Sequence, residues 1–193
     1  MATRSDNETR ILEAAAYLFW TKGYEAAGVN DICATAGIHK GTLYHFFQNK
    51  KELALAVIER NAGLALQLMS EAEKRPPRER VMHYLDTIIN IQAAQCRRSK
   101  SVAGCPFGNF SIEMAGKDEE IRKTVHRMFR KKSRFFAEAV GQLSGVSKSD
   151  AKRLGADLFT HWQGAMLMAK TAGNIKPLKT ARVFIDNSLR QVG

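Results

Sequence analysis

Two groups of residues in this chain offer chemistry that folding alone does not require. Lys40, Thr42, Tyr44 and His45 lie in a short stretch whose apolar members, Leu43, Phe46 and Phe47, are spaced to face a core. On a helix, that leaves an ammonium, a hydroxyl, a phenol and an imidazole on the outer face. Such a set can bond phosphates and the edges of bases. The second group centres on Cys105. Pro106 suits the first position of a helix, which makes Cys105 the residue capping it. Free backbone N–H groups and the helix dipole favour a thiolate there, and Arg97, Arg98 and Lys100 lie close in sequence.

The elements that must position the first group are two short helices around a tight turn. Val29, Ile32, Cys33 and Ala36 give the first helix one apolar face, which makes Cys33 a core residue. Gly37 suits the left-handed backbone that ends it, and Ile38 re-enters the core. The second helix spans Lys40 to Phe47, and Lys50 and Lys51 open a longer one. The run Ala36-Gly37-Ile38-His39-Lys40-Gly41-Thr42-Leu43-Tyr44-His45-Phe46-Phe47, followed by Lys50-Lys51-Glu52-Leu53, resembles the TetR family of transcriptional regulators. The resemblance covers roughly residues 8–60. There are two departures: His39 stands where a small capping Ser is common, and Gly28 where Thr or Ser often caps the first helix.

The resemblance implies an all-α fold of two domains. A helix-turn-helix head over residues 1–47 would bind double-stranded palindromic operator DNA as a two-fold dimer. A body over residues 48–193 would hold an effector cavity and the dimer surface. Tyr44 and Lys50 would contact phosphates, Thr42 and His45 would reach base edges, and Lys40 would complete the face. Gly104-Cys105-Pro106-Phe107 resembles a subset of these regulators in which a Cys at this position reacts with electrophiles or oxidants. The expected function is a repressor released by a small-molecule effector or by thiol modification at Cys105. The alternatives are an activator of the same fold, or an enzyme with Cys105 as nucleophile, for which no His or Asp neighbours it in sequence.

Composition agrees with a folded helical protein. The chain has 193 residues, 45% of them hydrophobic, and only 4 Pro. No run of 18 or more apolar residues suggests a membrane span, no cleavable leader pattern opens the chain, and three irregularly spaced cysteines make no disulfide framework. The expected location is cytoplasmic. The net charge of +11 does not mark the DNA face: residues 1–60 hold 7 basic and 7 acidic residues, and the excess lies beyond them.

Along the chain, the first helix runs from about Asp6 or Asn7 to Lys22, with Arg4 ahead of it in reach of a phosphate. The fourth begins near Asn49 and carries Leu53, Val57, Leu64 and Leu68 on one side. Pro76-Pro77 opens the fifth, which ends near Cys96 ahead of a basic loop. Cys105-Pro106 opens the sixth, Asp118 caps the seventh, Ser147 or Ser149 starts the eighth, and a ninth follows Pro177. Phe107, Phe110, Met128, Phe129, Trp162 and Met166 supply aromatic and thioether surface for an effector cavity beside Cys105. Leu158, Trp162, Ala165, Ile185 and Leu189 are the expected dimer contacts, because the last two helices are too broadly apolar for one-sided burial. Cys96 could resolve an oxidised Cys105. The run Arg122, Lys123, Arg127, Arg130, Lys131, Lys132, Arg134 reads as a solvated outer face, and His83, His126 and His161 lack metal spacing, so no metal or cofactor is expected.

Overall fold

The computed structural model describes residues 4–192, with the side chains of Arg4 and Ser5 outside the described set, so the expected phosphate contact of Arg4 lies outside it. Among the described residues there are nine helices and no strand: α1 (Arg4–Thr21), α2 (Val29–Ala36), α3 (Lys40–Phe46), α4 (Lys50–Glu73), α5 (Pro77–Ser99), α6 (Pro106–Met114), α7 (Glu119–Val140), α8 (Lys148–Ala172) and α9 (Lys176–Val192). The all-α expectation holds. Among these helices none is long and apolar enough to cross a membrane.

The chain forms two compact units. The first takes in residues 1–63 and 106–125, and the second 64–105 and 126–193. The first unit therefore extends past the expected head at residues 1–47 and includes α6.

In the first unit, α1 packs on α2, α3 and α6. Its core is built from Ile11, Ala15, Leu18, Phe19, Ile32, Leu43, Leu53 and Val57, all nearly or fully excluded from water. One sequence expectation fails on α4: Leu64, which falls in the second unit, is about half exposed and so is not part of its buried side.

In the second unit, α8 packs along α9, and α9 against α5. Ser147 caps α8 by accepting from the Asp150 N–H at 3.1 Å, as the sequence suggests. The α7–α8 crossing depends on Gly155: a Cβ there would fall 2.4 Å from the backbone of Ala137. Guanidinium–carboxylate pairs tie α5 to α9. Arg78 grips both oxygens of Asp186 at 2.7 and 3.0 Å, and Arg182 holds Asp86, its Nη2 at 2.8 Å. The sequence placed a loop over residues 97–104, but α5 continues to Ser99, where Lys100 takes the left-handed conformation that ends it.

Candidate nucleic-acid face in the first unit and a buried cysteine in the second

The turn between α2 and α3 is set by backbone geometry. Gly37 has φ 62° and ψ 44°; its N–H donates to the Ala34 carbonyl oxygen at 3.2 Å, and the Ile38 N–H donates to that of Cys33 at 3.0 Å. The Arg10 guanidinium donates to the Gly37 carbonyl oxygen at 3.0 Å and pins the turn to α1. Neither Gly28 nor His39 supplies a side-chain cap, as their residue types predict. Cys33 is buried in α2, and burial pushes its thiol pKa up, with Lys40 opposing.

Leu43 and Phe47 anchor α3 in the core, at 0% and 5% exposed. Lys40, Tyr44 and His45 are then exposed and Thr42 half-buried, so the structure brings the four predicted residues to the outside of one short helix. Phe46 departs from expectation. It is half-buried, not inward, and its ring meets His45 edge-on at 5.2 Å. A helix of seven residues has only one fully inward position per turn, and Leu43 takes it. Asn7, Gly41, Thr42, His45 and Phe46 line an open concavity of about 430 Å³ beside this helix.

Lys50 is more constrained than the sequence suggests. Its ammonium lies 4.5 Å from the Tyr24 ring centre and donates to the Glu25 carbonyl oxygen at 3.3 Å. Burial lowers its pKa, with Glu25 and Glu113 opposing. The same corner contains residues that sequence spacing did not single out. Glu113 of α6 accepts from the Glu25 N–H at 3.0 Å, and Asn109 donates to the Trp20 carbonyl oxygen at 3.0 Å. Lys117 pairs with Glu25 at 2.9 Å, while Lys51 pairs with Asp118 at 2.9 Å and Glu120 at 3.1 Å. These partners lie far apart in the chain, so no local period signals them.

The predicted cavity set divides between the units. Phe110 packs on Phe19 and Tyr24, with ring centres 5.7 and 6.0 Å apart, as part of the first unit's core, and Phe107 is 1% exposed in the same unit. In the second unit Met128, Trp162 and Met166 are buried, and the half-buried Phe129 meets Phe159 at 5.8 Å.

Cys105 belongs to the second unit and is 6% exposed. All three cysteines are free, and the Cys96 thiol donates to the Gly173 carbonyl oxygen at 3.6 Å. Gln92 holds the chain just ahead of Cys105, donating to the Gly104 carbonyl oxygen at 3.0 Å and accepting the Gly104 N–H at 3.2 Å. Lys132 corrects the reading of the basic run as a solvated face. It is 6% exposed, while Arg130, Lys131 and Arg134 are exposed. Burial lowers its pKa, but Tyr84 and Cys105 outweigh this and leave it raised.

The expected dimer contacts Leu158, Trp162, Ala165, Ile185 and Leu189 are all at most 9% exposed within a single chain, on the two helices that pack along each other. The outward apolar residues of these helices are Leu167, Met168, Val183 and Phe184, each half exposed or more, with the His161 ring 4.3 Å from that of Phe184.

Comparison with known proteins agrees with this architecture. Residues 11–57 match the family described as bacterial regulatory proteins, tetR family, and residues 82–183 match the LmrA/YxaF-like transcriptional regulator C-terminal domain. The chain is 29% identical over 196 residues to the transcriptional regulator YxaF of Bacillus subtilis (strain 168), covering 100% of both chains. It is 30% identical to the transcriptional repressor DhaR of Mycobacterium sp. (strain GP1), covering 91% of this chain and 88% of that one. The solved structure of reduced NemR from E. coli superposes with a TM-score of 0.79 at 23% identity, over 94% of this chain and 97% of that one. The matches at the head and at the body place both in one lineage of regulators, and the chain belongs to the TetR family of transcriptional regulators.

Proposed function

We propose that the protein is a cytoplasmic repressor. It binds palindromic operator DNA as a homodimer and is released by a small-molecule effector or by modification of Cys105. The observation that carries the reading is the outer face of α3. Lys40, Thr42, Tyr44 and His45 stand outside a helix fixed by the buried Leu43 and Phe47. A short, rigidly seated helix with these side chains fits the major groove. Tyr44 and Lys50 serve phosphates, and Thr42 and His45 serve base edges.

The dimer is proposed to form through the outward side of α8 and α9, where Leu167, Met168, Val183 and Phe184 would be covered by their two-fold copies. Two heads then meet half-sites one helical turn of about 34 Å apart, or a multiple of it. Met128, Phe129, Trp162 and Met166 are the proposed effector contacts in the second unit, with Cys105 in the same unit. An effector shifts operator binding only if it prefers one spacing of the heads over another. Selection of random duplex DNA by the purified protein tests the reading. The expected product is an inverted repeat bound by a dimer. Recovery of no preferred sequence would contradict it.

A further inference from the structure

The outer face of α3 has two sides of unlike chemistry. Thr42, His45 and Phe46 stand three and four residues apart, so they form one continuous patch of the helix surface. Lys40 and Tyr44, four apart, fall on the other side. With Asn7 of α1 and Gly41, the patch lines an open concavity of about 430 Å³. The half-buried Phe46 ring and the methyl of the half-buried Thr42 supply carbon, and the His45 ring braces Phe46 edge-on at 5.2 Å. Gly41 adds no side chain, and a Cβ there would meet nothing within 4 Å, so the concavity stays open on that side. The apolar seating of α3 is already supplied by Leu43 and Phe47, which are buried. A phenyl ring beside a DNA-facing surface offers nothing to a phosphate. In the major groove, the apolar group on a base edge is the C5-methyl of thymine, next to the O4 acceptor.

We infer that this concavity selects a thymine in each operator half-site, with the C5-methyl seated against the Phe46 ring and the Thr42 methyl. The polar rim formed by Asn7 and His45 supplies the donor for the neighbouring O4. Cytosine fails on both counts, since it lacks the methyl and presents an amino donor at that place. The inference rests on the proposed DNA-reading role of α3 and names the base that role selects. Taking one methyl out of water corresponds to about a fourfold preference. In a two-fold dimer the two half-sites multiply it to about fifteenfold.

The test uses the full-length protein and the duplex that it selects from random DNA. Each thymine of the half-site is replaced in turn, in both halves, by deoxyuridine, which removes the methyl and leaves every hydrogen-bonding group in place. Anisotropy titrations compare the affinities. At one position the wild type should lose about fifteenfold. In Phe46→Ala the same replacement should cost no more than about twofold. Circular dichroism identifies a variant that fails to fold. Thr42→Ser, which keeps the hydroxyl and removes only a methyl, then provides a second one, with the thymine preference expected to fall to about fourfold. Equal affinity for thymine and deoxyuridine at every position would overturn the inference alone, as would a preference that survives undiminished in the folded variants. A protein that selects no sequence would overturn the reading of α3 itself, and the inference with it.

Discussion

The Lys50 ammonium lies 4.5 Å from the centre of the Tyr24 ring and donates to the carbonyl oxygen of Glu25, 25 residues earlier in the chain. A cation held over an aromatic face is pre-positioned, and it has a competing use if DNA arrives. Lys50→Ala should weaken binding to all duplexes alike and flatten the salt dependence by about one unit of slope. Anisotropy titrations at several salt concentrations measure this. A slope equal to the wild type's would mean that the ammonium stays on Glu25 in the complex.

The α5–α9 pair gives an acid-dependent contribution to stability. The hydrogen bond from Arg78 holds the Asp186 carboxyl below its ordinary 3.8, with Arg190 adding to it. A depressed carboxyl contributes fully above the unfolded value, and the contribution is lost as pH falls through the folded one. Asp186→Asn should therefore cost about 1 kcal/mol at neutral pH. The difference between the two proteins should shrink as pH falls below the ordinary carboxyl value of 3.8. Urea midpoints at both conditions decide it, and a constant difference would show that the charge is not the cause.

Much of the head was legible in the sequence because its determinants are local. Gly37 ends α2, Leu43 sets the inward side of α3, and both act within a few residues of the face they create. Phe46 was misread because, on a seven-residue helix, it falls at the edge of the apolar side. Lys132 was hidden by its neighbours: read as part of a basic run it looks solvated, although Val125, Met128, Lys132, Phe135, Phe136 and Ala139 keep the buried period of α7. Asn109, Glu113 and Lys117 gave no signal, since their partners lie about ninety residues away. Burial within the chain was not legible on α8, because it is apolar on two sides and its sequence does not say which is spent inside the chain.

That last distinction predicts two different phenotypes. Phe184→Glu or Met168→Glu places a charge on the outward side of α9 or α8 and should give a folded monomer with weak operator binding. Leu158→Glu buries a carboxylate at a position 2% exposed and should unfold the second unit. Sedimentation equilibrium with circular dichroism separates them. A Phe184→Glu protein that remains dimeric would move the interface elsewhere.

The central claim is that the outer face of α3 reads DNA, and His45→Ala tests it most directly. His45 is exposed, so its removal leaves the head folded. Anisotropy titrations against the selected operator and a scrambled duplex should show operator affinity falling about tenfold or more, with binding to the scrambled duplex unchanged. An unchanged preference for the operator would contradict the account.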